Sequence, residues 1–134
     1  MSGSTCPQVY YPDGVHYDSE ALAVDPFNAD LLLFTKDHFA TYTSNVYRLP
    51  YGLQATFTAN PLVYVTTLPF VYVTGADISP SGSTLGLTNT LEGWSWRRQG
   101  EHSWAEELAY WSPSPCSLHL VAAPQREAIT VTDT

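Results

Sequence analysis

Residues 19–34 read SEALAVDPFNADLLLF, and residues 73–88 read VTGADISPSGSTLGLT. Slid by 54 positions without a gap, Val24, Asp25 and Pro26 fall on Ile78, Ser79 and Pro80, Asn28 falls on Gly82, and Leu31 and Leu33 fall on Leu85 and Leu87. Each copy holds a short apolar segment, an Asp-Pro or Ser-Pro turn with Asn or Gly where positive φ is easiest, and a second segment with leucines two apart. A period of two is the strand period, so each copy reads as strand, tight turn, strand. A third start appears in REAITVTDT at 126–134, where Glu127, Ala128, Ile129 and Val131 meet Glu20, Ala21, Leu22 and Val24 at an offset of 107. Three nearly even spacings make an internal repeat of roughly fifty residues the organising feature.

A unit of that length holds about four short strands. In the first unit, 19–72, strands are expected at 21–24, 30–35, 45–49 and 62–67, with a further short pairing at 55–58. In the second, 73–125, they are expected at 75–79, 84–88, 93–97 and 117–121. Residues 1–18 would supply the last strand of a preceding unit, at 8–11, plus a linker, and 126–134 the first strand of a following one. One helix near 103–111 interrupts the pattern. Ser103 can cap it with Glu106 three residues on, Trp104, Leu108 and Trp111 would share the face packed on a sheet, and Pro113 ends it.

Four-stranded units at this spacing are the signature of β-propeller blades, so the fold class is all-β, an incomplete propeller of about two blades in one partial domain spanning 1–134. GADISPSGSTLGL at 75–87 resembles the strand-turn-strand of WD40-like and NHL-type bacterial propeller blades. The starts at 10–26 and 125–131 look like those of phytase-like and esterase-like secreted propellers. The chain departs from these patterns in having Ser81-Gly82 where Asp-Gly is usual, and Thr74-Gly75 where the other two starts have Glu-Ala. Two blades cannot close a ring, so the expected partners are the remaining blades of a longer chain, or further copies of this one.

Composition narrows the function classes. Charged residues make up 13%, about half the usual share, while 10 prolines and 9 tyrosines suit strands joined by turns. A net charge of −8 repels phosphate backbones and anionic membranes, which argues against nucleic-acid and lipid partners. No secretory leader or membrane-spanning run is legible, and the compartment stays open, extracellular included if sequence precedes Met1. Cys6 and Cys116 hold nearly equivalent places two units apart, too distant in a radial array for a disulfide, whereas a two-sheet sandwich could join them.

Few residues point to chemistry. Glu20, Asp77 and Glu127 lie on the three blade-opening strands, where acidic groups could converge on Ca²⁺ in a central channel; Asp18 and Asp37 are weaker candidates, and Lys36 can pair with a neighbouring acid. Trp94 and Trp96 alternate along a strand and could stack on a sugar or fill the space between blades. His16, His38, His102 and His119 lack zinc spacing, and no G-x-S-x-G elbow occurs. Two functions follow: a module binding protein or carbohydrate, and, from the phytase-like and esterase-like resemblance, part of a Ca²⁺-dependent hydrolase.

Overall fold

The computed structural model of the chain describes residues 8–36, 42–51, 59–70, 72–111, 114–118 and 128–133. In order, the described elements are β1 (Gln8–Tyr10), β2 (Ser19–Val24), β3 (Leu31–Thr35), β4 (Ser44–Leu49), β5 (Ala59–Pro61), β6 (Val63–Leu68), β7 (Gly75–Ile78), β8 (Thr84–Thr88) and β9 (Gly93–Arg97), then a helix and β10 (Cys116–Leu118). The helix begins as one α turn, α1 (Trp104–Glu106), and widens into a π turn over Glu107–Trp111. The chain is thus mostly β. Two open antiparallel sheets of four strands, β2-β3-β4-β6 and β7-β8-β9-β10, make up most of it, their strands hydrogen-bonded in chain order, and a two-stranded pair, β1-β5, makes a third sheet.

The first two strands of the two sheets pair in registers that differ by one common offset. In sheet one Val24 opposes Leu31, Ala23 opposes Leu32, Leu22 opposes Leu33 and Ala21 opposes Phe34. In sheet two Ile78 opposes Leu85, Asp77 opposes Gly86, Ala76 opposes Leu87 and Gly75 opposes Thr88. Every pair is displaced by the same 54 residues. The match ends at the third strands, where Leu31 opposes Leu49 but Leu85 opposes Trp96. A long connection, 36–43, joins β3 to β4, whereas 89–92 suffice between β8 and β9.

The two turns share a frame and differ inside it. Asp25 donates to the Asp30 carbonyl and Ser79 to the Thr84 carbonyl, both at 2.9 Å. Within the second turn Gly82 donates back to Ser79 and takes the left-handed conformation, φ 78°. Within the first, Ala29 donates to the Asp25 carbonyl, so the loop closes one residue later and positive φ falls on Ala29, at 62°, rather than on Asn28. The Asn28 side chain instead accepts from the Asp30 N–H at 3.0 Å.

The sheets pack face to face, with β2 running against β7. Sheet one contributes Ala21, Ala23, Leu32, Phe34, Val46 and Leu68; sheet two contributes Ile78, Leu85, Leu87, Trp94 and Trp96; Val73, just before β7, and Trp104 and Leu108 of the helix complete the core. At the 54-residue offset, Ala21 and Ala23 fall on Gly75 and Asp77, not on Ala76 and Ile78. Sheet two therefore meets sheet one with the opposite face of the unit. The contact joins unlike faces at the 54-residue offset, where a two-fold symmetric pair would join like ones.

Several expectations are modified. β1 pairs in parallel with β5, Leu62 donating to the Tyr10 carbonyl, rather than closing an earlier unit. Tyr11 fixes this course by packing edge-on against Tyr17 and Tyr47 at 5.0 and 4.9 Å. The Ser103 hydroxyl caps the helix by accepting from the Glu106 N–H, while the Glu106 carboxylate meets that hydroxyl and not the Ser103 N–H. Trp111 is 54% exposed although Trp104 is fully buried. The π turn carries more residues per turn than an α-helix, and this rotates position 111 off the buried face. The expected strand at 55–58, and 119–121 of the one at 117–121, lie outside the described residues.

Candidate functional site

The contact between the sheets leaves one face of each turned outward. On sheet one this face carries Leu22, Val24, Leu31 and Leu33, with Tyr47 and Leu49 further along the rows. Tyr11 and Tyr17 cover the Tyr47 end. The β2 end stays open, Leu22 being 54% and Val24 53% exposed, whereas Ile78, the counterpart of Val24, is 7% exposed.

On sheet two the outward face is built from Gly75, Asp77 and Gly86, and residues 128–133 lie across it. A Cβ at position 86 would sit 2.7 Å from Val131 Cγ2 and 3.2 Å from Ile129 Cδ1, so only glycine admits this close approach. The Asp77 carboxylate accepts the Val131 N–H at 2.7 Å. The Asp133 carboxylate accepts the Ser81 N–H at 2.8 Å and also the Ser81 hydroxyl. That hydroxyl, followed by the N–H, holds the Asp133 carboxyl below its ordinary 3.8. Residues 128–133 join no sheet ladder; in sequence, Ile129 and Val131 align with Leu22 and Val24 at an offset of 107.

Of the Ca²⁺ candidates, Glu20 is paired with Lys36 at 2.8 Å, Asp77 binds the Val131 amide, and Glu127 lies outside the described residues. Asp18 accepts the Lys36 N–H through its carbonyl at 2.6 Å, and Asp37 lies outside the described residues. Among the described residues no group of three His, Cys, Asp or Glu side chains converges as a metal site would require. Trp94 and Trp96 are 7% and 3% exposed, and Phe70 stacks on Trp94 at 4.2 Å, so protein covers both rings. Cys116 is a free, exposed thiol; Cys6 lies outside the described residues. Among the described residues no helix is long and apolar enough to cross a membrane.

Two features were not legible in the sequence. His102 Nε2 lies 2.5 Å from Glu107 Oε1, which also accepts the Gln99 N–H at 3.0 Å, and the His102 ring stacks on Trp111 at 4.3 Å. Glu107 is fully buried, and its other oxygen has no hydrogen-bond partner among the described residues. The π turn that brings His102 and Glu107 together has no sequence signature. The second feature is a polar cleft of about 270 Å³ between sheet one and the helix, lined by Asn28, Arg48, Tyr64, Glu106 and Tyr110. Tyr64 and Tyr110 are 52% and 78% exposed. Arg48 is held in place by Asp30 at 2.8 Å. Rings of this kind, with hydrogen-bonding groups between them, suit a sugar or an extended peptide.

No protein-family model matches the chain, and no curated protein matches it significantly.

Proposed function

We propose that this chain is a section of a β-propeller-type radial array acting as an interaction module for protein or carbohydrate. The observation that carries the reading is the opposed-face stack of two sheets whose first two strands share one register at a 54-residue offset. A Greek-key sandwich would exchange strands between its sheets; here, among the described strands, neither four-stranded sheet takes a strand from the other's stretch of chain, and β5, which falls between β4 and β6, pairs with β1. The ring would be completed by further units, in the same chain or from other copies. Binding is favoured over catalysis because the described acidic candidates are engaged in pairs and amide contacts, while the cleft at Tyr64 and Tyr110 offers a ready seat.

The test is affinity electrophoresis through a panel of soluble polysaccharides, alongside a peptide array, with the intact chain. Retardation or spot binding lost in Tyr64→Ala and Tyr110→Ala supports the module. Absence of any binding, together with a melting temperature that rises on adding Ca²⁺ and falls back in Glu20→Ala or Asp77→Ala, would turn the assignment to the Ca²⁺-dependent hydrolase.

A further inference from the structure

We infer that residues 128–133 are a removable plug on sheet two, and that the seat they fill also fits β2 of a second copy of this chain, entering through Leu22 and Val24. The inference rests on the stacking proposed above and adds to it a specific surface, a specific occupant and a means of control.

Three observations place the second copy there. First, Ile129 and Val131, which meet Gly86, align with Leu22 and Val24, so plug and β2 carry similar pairs of branched apolar side chains two residues apart. Second, the plug is anchored by the Val131 N–H on the Asp77 carboxylate. β2 is an edge strand, and Asp25 donates to Asp30; the alternation of an antiparallel ladder therefore turns the N–H of Val24 away from β3, toward the free edge. Val24 thus presents the donor that Val131 uses. Third, the two surfaces are complementary in state. Leu22 and Val24 are more than half exposed, and the seat that matches them is occupied by a short segment without ladder hydrogen bonds.

The consequence is competition. While the plug is seated, a second copy has no place on sheet two; once it leaves, copies add head to tail, each contributing β2 to the Gly86 and Asp77 seat of the next. Such a contact does not close on itself at two members, so association continues into rings or open chains.

Sedimentation velocity on the intact chain tests this. Ile129→Asp with Val131→Asp should unseat the plug and tighten self-association by about tenfold or more. Adding Leu22→Asp and Val24→Asp to that variant should abolish the association, and an excess of a synthetic peptide of residues 128–133 should reverse it. A plug-disabled chain that stays monomeric, or that associates regardless of Leu22 and Val24, overturns the inference. Should the aspartates unfold the chain, Ile129→Ser with Val131→Ser makes the same test. Gly86→Leu tells the two levels apart, since a side chain there must expel the plug and also block the incoming strand. That variant should expose the Val131 amide to hydrogen exchange yet remain monomeric. Continued protection of Val131 in Gly86→Leu refutes the stacking itself, whereas exposure without association in the aspartate variant refutes only the inference.

Discussion

The carboxylate of Asp25, in the first turn of sheet one, accepts the backbone N–H of Trp104, the opening residue of the helix on sheet two, at 2.7 Å. Its other oxygen accepts the Phe27 N–H at 2.9 Å, and the residue is 1% exposed. One side chain therefore shapes a turn of sheet one and ties it to the helix. Asp25→Ala leaves two amide donors without an acceptor, one of them buried, and should cost about 2–4 kcal/mol of folding stability. Asp25→Asn keeps one acceptor oxygen and should lose about half as much. Urea denaturation measures both; equal losses for the two variants would show that the hydrogen bonds are not what matters there.

The two tryptophans of the helix should behave very differently. Trp104 is fully buried and its indole N–H donates to the Gly82 carbonyl at 2.8 Å, so its backbone is held by one turn and its ring by the other. Trp104→Phe should cost about 2–3 kcal/mol through the lost bond and the unfilled volume. Trp111→Ala removes a half-exposed ring stacked on His102 and should cost at most about 1 kcal/mol. Thermal melts of the two variants decide it, and a Trp111→Ala loss as large as that of Trp104→Phe would mean the ring is part of the core.

These two rings also show what could be read in advance. The strands came from period-two apolar patterning, which burial on one face imposes on the residues themselves, so the spans of β2, β3, β7 and β8 and their common offset were legible, while the exact closure of the first turn, with positive φ on Ala29, was not. Trp104 followed from the cap at Ser103 for the same reason. Trp111 did not, because helical spacing assumes a constant turn and the widening at Glu107 is set by packing. The cleft at Tyr64 and Tyr110 joins residues from a strand and a helix distant in sequence, a proximity that only tertiary structure creates. Trp94 and Trp96 were correctly placed on one face, but local pattern does not say whether such a face meets solvent or another sheet.

Backbone strain in the first turn gives a stabilising substitution. Ala29 adopts φ 62°, where a Cβ crowds the neighbouring carbonyl by about 1–2 kcal/mol. Ala29→Gly removes that conflict at the cost of a more flexible unfolded chain, about 0.4–1 kcal/mol, so a net gain of about 0.5 kcal/mol is expected. The reverse substitution in the second turn, Gly82→Ala, should destabilise, since φ is 78° there and the added Cβ would lie 3.1 Å from Pro26 Cγ. Denaturant midpoints of the two variants should move in opposite directions; movement in the same direction would show that strain is not the controlling term.

Seating of residues 128–133 should depend on pH through Asp133. Ser81 supplies its carboxylate with a hydroxyl and an N–H, and the folded carboxyl titrates below its ordinary value of 3.8. A lowered folded value means that the contact contributes fully above the ordinary value and is lost as pH falls through the lowered one. Protection of the Val131 amide, measured relative to the core amides, should therefore hold from neutrality down to about pH 4 and decline below it. Ser81→Ala removes the hydroxyl but leaves the N–H, which should move the decline back toward the ordinary value, while Asp133→Asn should remove this pH dependence altogether. A decline that persists unchanged in Asp133→Asn would show that the Asp133 contact does not control the seating of this segment.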